Sequence, residues 1–257
     1  MGVFLQMTKE KVTTSKGIIE YTIRGEGEPN IILINGGSGP IEGWMKIIEE
    51  ISKFSSVFAY NRLGIGGSEK PKEEQDGNTI IETLREALAC LGIHPPFLLV
   101  GHSLGGLYAN LFARLYPDEV VSVVFLEASH PNDVLLDEHY GKIVKSINKM
   151  FTKFDSLSTH KKFDEVHFVK ATIEQINKHK SFPEIPLFVI TGVKANRLIP
   201  KEALKRRQEN QLELLLLAKH SKQIYAQKSG HFPQLTEPKI VIDTIQEAVQ
   251  SFNCKMN

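Results

Sequence analysis

Short apolar runs along this chain alternate with longer stretches in which apolar residues return every three or four positions. Ile18 to Ile23 alternates apolar with polar residues and reads as a strand; the Gly25-Glu26-Gly27 turn then leads to a continuous apolar run, Ile31 to Ile34. Ile41, Trp44, Met45, Ile48 and Ile51 fall on one side of a predicted helix. Val57 to Tyr60 is strand-like, and Ile80, Ile81, Leu84, Ala87, Leu88 and Leu91 mark a second amphipathic helix. Phe97 to Val100 is wholly apolar and precedes a helix carrying Leu107, Tyr108, Leu111, Phe112 and Leu115. Val120 to Leu126 is the next strand. Further on come a strand at Pro186 to Thr191, a helix over roughly 201–219, a short strand at Gln223 to Ala226 and a last helix marked by Val241, Ile242, Ile245 and Val249.

Near-continuous apolar strands separated by helices imply a parallel sheet, because the crossover helices cover both of its faces. The regular alternation breaks after Glu127. From His130 to about Phe182 there is no strong strand, many Lys residues and only weak helical patterning. The expected architecture is therefore α/β: a mostly parallel sheet with helices on both faces, plus a helical cap inserted after the strand ending near Glu127. The expected division is core over 1–129, cap over 130–183 and core again over 184–257.

Bulk composition changes this picture little but excludes several partners. The 257 residues are 41% hydrophobic and 24% charged, as in an ordinary globular protein large enough to bury its own core. Thirty-one basic residues against 30 acidic ones leave no field to draw nucleic acid. No apolar run is long enough to span a bilayer, and Val3, Phe4 and Leu5 lack the basic lead-in of a signal peptide. Cys90 and Cys254 form no paired motif, which suggests reduced thiols and a cytoplasmic protein, with Cys90 in the core. No H-E-x-x-H or paired-Cys pattern points to a metal, and no cofactor is implied.

The chemistry centres on Gly101-His102-Ser103-Leu104-Gly105, a G-x-S-x-G pattern. Alone it is weak; here a buried strand precedes it and a helix follows, which is the setting a nucleophilic serine needs. A sharp strained turn lifts the hydroxyl clear of the sheet, and Gly101 and Gly105 remove the Cβ atoms that would collide there. The free amides of the helix N-terminus favour developing negative charge. A serine hydroxyl also needs a base. Of nine histidines, His231 is chosen because it follows the final short strand, at the sheet edge where loops converge on the Ser103 turn.

With these segments in place, the chain resembles the α/β-hydrolase superfamily from about Ile18 to Phe252, and its insertion resembles that family's cap. Asn35-Gly36-Gly37-Ser38-Gly39-Pro40 resembles the oxyanion loop, with Asn35 where the family usually has His. Asn61-Arg62-Leu63-Gly64-Ile65-Gly66-Gly67-Ser68 resembles the D-R-x-G-x-G-x-S turn, with Asn61 for the usual Asp, and Ser229-Gly230-His231-Phe232-Pro233 resembles the catalytic-histidine segment. The resemblance implies that the Gly37 and Leu104 backbone amides form the oxyanion hole and that His102 is scaffolding, turned away from the nucleophile. It usually places the acid after the strand at Pro186 to Thr191, but Gly192 to Arg197 contains no carboxylate. Some members carry it one strand earlier, where Glu127 stands, so Glu127 is taken to fix the His231 tautomer.

The function this implies is cleavage of an ester-like bond of a small substrate through an acyl-serine intermediate, in a carboxylesterase-like enzyme. Two alternatives stay open. The Gly36-Gly37-x-Gly39 loop resembles that of proline iminopeptidases, whose cap carboxylates hold a substrate amino group; Asp133, Asp137 and Glu138 are candidates. The lack of an acid in its usual place favours a non-catalytic homologue that only binds ligand. Apolar residues of the insertion, among them Leu135, Phe151 and Phe163, could line an acyl pocket or pack the cap itself. Oligomeric state does not follow from the sequence.

Overall fold

The computed structural model describes residues 7–134, 163–179, 181–194 and 201–256. Eight strands form one sheet: β1 (Glu10–Thr14), β2 (Gly17–Arg24), β3 (Asn30–Ile34), β4 (Val57–Asn61), β5 (Phe97–His102), β6 (Val120–Leu126), β7 (Leu187–Gly192) and β8 (Ser221–Ala226), in the order β1-β2-β4-β3-β5-β6-β7-β8. From β4 onward across the sheet every pairing is parallel, while β1–β2 and β2–β4 are antiparallel. The described helices are α1 (Ile48–Ile51), α2 (Gly77–Cys90), α3 (Gly105–Leu115), α4 (Pro131–Val134), α5 (Val169–Lys178), α6 (Lys201–Leu214), α7 (Pro233–Thr236) and α8 (Pro238–Met256).

Strand side chains point alternately to the two faces, so each apolar strand feeds two cores. Ile32, Ile34, Leu99, Val123, Phe125 and Val189 pack with α2, α3 and α5 on one face. Ile31, Leu33, Leu98, Val100, Val124, Leu126 and Ile190 pack with α1, α8 and the 3-10 turn Ile41–Trp44 on the other. This double coverage is why the central strands lack polar alternation.

Some expectations shift. The helix expected from Ile41 to Ile51 is instead the 3-10 turn Ile41–Trp44 followed by α1, and the change of pitch turns Met45 out to solvent. Cys90, expected in the core, is a free, exposed thiol: it falls on the outer face at the end of α2. The helix expected to reach Lys219 leaves α-geometry at Leu214, and Leu216 is exposed beyond it. β1 adds a strand whose mostly polar sequence gave no apolar signal.

Of the expected cap, residues 135–162 lie outside the described residues, and with them Leu135, Phe151, Asp137 and Glu138. The described end of the insertion, α5, buries Ile173 and Ile176 in the core shared with α2 and α3. Among the described residues no helix is long and apolar enough to cross a membrane.

Candidate active site

Two parallel neighbours, β5 and β6, end in register, with His102 opposite Leu126. The residue that follows each strand leaves the sheet through a left-handed backbone: Ser103 at φ 51° and Glu127 at φ 46°. Only one other described non-glycine residue has positive φ, Ser38 at 54°, in the loop after β3. Such conformations cost on the order of 1–3 kcal/mol each and persist only where surrounding structure enforces them. All three lie in loops that follow strands of the parallel part of the sheet, β3, β5 and β6.

The Ser103 turn is held by its own backbone. Its N–H donates to the Leu126 carbonyl at 3.2 Å, and its carbonyl accepts from Gly106 at 2.9 Å and Ser129 at 2.8 Å. A Cβ on Gly105 would collide with the carbonyl oxygens of Ile34 and Asn35, so α3 can start this close to β3 only with glycine there. The oxyanion-loop candidates lie alongside. A Cβ built on Gly36 would stand 3.1 Å from the Ser103 Cβ, and one on Gly37 would stand 3.2 Å from Leu104 Cδ2. Among the described residues neither the Gly37 nor the Leu104 amide is engaged by a backbone carbonyl. Ser103, His231, Gly36, Gly37, Phe232 and Leu235 line one small cleft.

His231 sits in the loop between β8 and α7. Its carbonyl accepts from His102 Nε2 at 2.8 Å, so the residue beside Ser103 in sequence fastens the loop that carries His231. The His102 ring packs edge-on against Trp44 and faces the rings of His231 and Phe232. Burial, reinforced by His231, pushes its pKa down to about 3 and keeps it neutral. His231 is also held well below its ordinary value of 6.5, first by burial and then by the Arg207 charge. Its Nε2 is buried with no hydrogen-bond partner among the described residues. The structure thus brings Ser103 and His231 to one cleft without a bond between them.

Glu127 is only 2% exposed. Its Oε1 accepts the Gly192 N–H at 2.7 Å, at the end of β7, and its Oε2 lies 3.4 Å from His231 Nδ1. From the end of β6 the carboxylate thus reaches across to the next strand. Burial pushes its pKa up, against the Arg207 charge and the Gly192 donor, which pull it down. Asp133 points elsewhere: buried, it accepts from the His130 N–H at 2.7 Å and from Asn210.

Two residues that the sequence reading did not single out reach this site. Glu165, buried, takes the Ser38 N–H at 2.8 Å and pairs with the equally buried Arg62. Arg62 also donates to the Asn35 carbonyl at 2.8 Å and the Gly36 carbonyl at 2.6 Å, so the pair fixes the backbone of the loop after β3 from behind. Asn35 and Asn61 fill ordinary turn roles, bonding the Pro40 carbonyl and the Ile41 N–H. Arg207, on α6, bonds both Glu127 and His231. Neither Glu165 nor Arg207 carries a local signal: Arg207 is one charge among many in a polar helix, Glu165 opens a short 3-10 turn, and each is paired only by the fold.

The family model described as alpha/beta hydrolase fold matches residues 29–165. The chain is 28% identical to Bacillus subtilis YbdG over 109 residues, which are 42% of this chain but only 34% of YbdG. It is 24% identical to B. subtilis YqjL over 236 residues, covering 90% of this chain and 88% of that protein. Among solved structures, a serine hydrolase involved in carbazole degradation, CarC, superposes with a TM-score of 0.68 at 18% identity, covering 95% of this chain and 98% of that one.

Proposed function

Because this chain belongs to the α/β-hydrolase fold family, we propose that it is a serine hydrolase that cleaves an ester-like bond of a small substrate. The observation that carries this is the convergence of Ser103, the His231 ring and the Gly36-Gly37 loop on one cleft, with the buried Glu127 carboxylate behind His231. CarC, named a serine hydrolase, shares the fold. Residues 130–183, in this reading, cap the cleft.

In turnover His231 Nε2 takes the Ser103 proton as Oγ bonds to the substrate carbonyl carbon. The carbonyl electrons move to oxygen, and the oxyanion is met by the Gly37 and Leu104 amides. Collapse breaks the bond to the alcohol, which leaves with the proton from His231. Water, deprotonated by the same nitrogen, then attacks the acyl-serine and frees the acid and Ser103. Glu127 orients the ring and offsets the imidazolium charge, and it is not itself protonated.

Turnover of p-nitrophenyl acetate and of a prolyl arylamide, each with wild type and Ser103→Ala, tests the reading. Ester hydrolysis that drops roughly 10⁴-fold in the variant is expected. Preference for the arylamide would select an aminopeptidase, although the Asp133 carboxylate is already tied to His130 and Asn210. Turnover of both substrates that is the same in wild type and Ser103→Ala would leave only the ligand-binding reading.

A further inference from the structure

The mechanism above makes no use of Arg207, yet its guanidinium stands between acid and base. Arg207 Nη2 lies 2.7 Å from Glu127 Oε2, 3.0 Å from the Glu127 carbonyl oxygen and 2.7 Å from His231 Nδ1. The direct separation of His231 Nδ1 from Glu127 Oε2 is longer, 3.4 Å.

A guanidinium carries five N–H donors, has no acceptor, and is not deprotonated in proteins. At 2.7 Å from it, His231 Nδ1 can only accept. The proton of the neutral ring must then be on Nε2. A serine hydrolase needs the reverse: Nδ1–H donating to the carboxylate, and a bare Nε2 to receive the serine proton. With Arg207 seated, Nε2 has no lone pair to offer Ser103. Acylation would also create an imidazolium directly against a guanidinium, and that like-charge contact opposes it.

Resting on the hydrolase reading, we propose that Arg207 is a gate on the triad. Seated, it holds His231 in the Nε2–H tautomer and leaves Ser103 idle; withdrawn, it returns Nδ1 to Glu127. It is a positioning residue, acting on the serine only through the ring.

The surroundings suit such a switch. Gly192 holds Glu127 Oε1 at 2.7 Å independently of the arginine, so the carboxylate keeps its place when the guanidinium leaves. Closing the 3.4 Å gap to a charge-assisted hydrogen bond needs a shift of only about half an ångström. The Arg207 side chain is 15% exposed, so a path to water exists. His231 Nε2, without a partner among the described residues, is in keeping with a base not yet engaged with its nucleophile.

The test is ¹⁵N NMR of histidine-labelled wild-type and Arg207→Met protein, the His231 signal assigned by its loss in His231→Asn, beside the rate of fluorophosphonate labelling of Ser103. Wild type is expected to carry the proton on Nε2 and Arg207→Met on Nδ1, with labelling faster by roughly 10- to 100-fold in the variant. A wild-type ring protonated at Nδ1 overturns the proposal, and that measurement stands even if Arg207→Met does not fold. Labelling of Ser103 in wild type that is no faster in Arg207→Met overturns the gate alone. Absence of Ser103 labelling from both proteins removes the hydrolase reading on which the gate rests.

Discussion

At the scale of single residues, the site is built where the backbone is least relaxed. Ser38, Ser103 and Glu127 all hold positive φ without being glycine, in the loops that follow β3, β5 and β6. Ser103 was legible because its glycines and flanking strand state the steric problem directly. Glu127 entered through the resemblance, since the segment that usually carries the acid lacks a carboxylate and some members carry it one strand earlier. Arg207 was not, because nothing in a run such as Lys205-Arg206-Arg207-Gln208 says which side chain turns inward. Glu127→Gln keeps the shape of the acid but loses its charge. It is expected to lower kcat for an ester roughly 10³- to 10⁴-fold with little change in KM, measured by steady-state kinetics. Full activity would mean that Glu127 is not the acid behind His231.

The elements explain how distant residues meet. Parallel strands bring their C-terminal ends to one edge, so β5 and β6 deliver Ser103 and Glu127 side by side, and the loop after β8 delivers His231. That much follows from strand patterning once the sheet is taken as parallel. The link from the insertion to the loop after β3 does not. Glu165 lies 103 positions from Arg62, and the buried pair between them depends on how the segment leading into α5 seats on the core. Removing one partner leaves the other charge buried and unpaired. Glu165→Ala is therefore expected to cost about 3–5 kcal/mol in urea denaturation. A loss below about 1 kcal/mol would mean that Arg62 is satisfied without it.

For the whole molecule, strand placement and the double-faced core were written in the apolar runs, whereas the edge was not. β1 exposes most of its residues and buries only Val12 and Thr14, and a tight turn folds it back onto β2. The folded state as a whole also carries a pH signature. His102 is neutral and buried, with its pKa pushed from 6.5 to about 3, so between those values the unfolded chain binds a proton that the folded chain refuses. Stability at this residue is complete above pH 6.5 and is lost as the pH falls, by about 2 kcal/mol from pH 7 to pH 5. Glu127, whose pKa is raised, works in the opposite direction, so the histidine's share is isolated by comparing wild type with His102→Asn. The variant should lose less stability over that interval; an identical loss would assign the pH dependence to other groups.

The most direct single measurement is peptide mapping by mass spectrometry after reaction with a phosphonylating probe. One adduct per chain is expected, on the Ser103 hydroxyl, and it should be absent when His231 is replaced by Ala. An adduct on another residue, or an equal yield without the imidazole, would contradict the assignment of nucleophile and base.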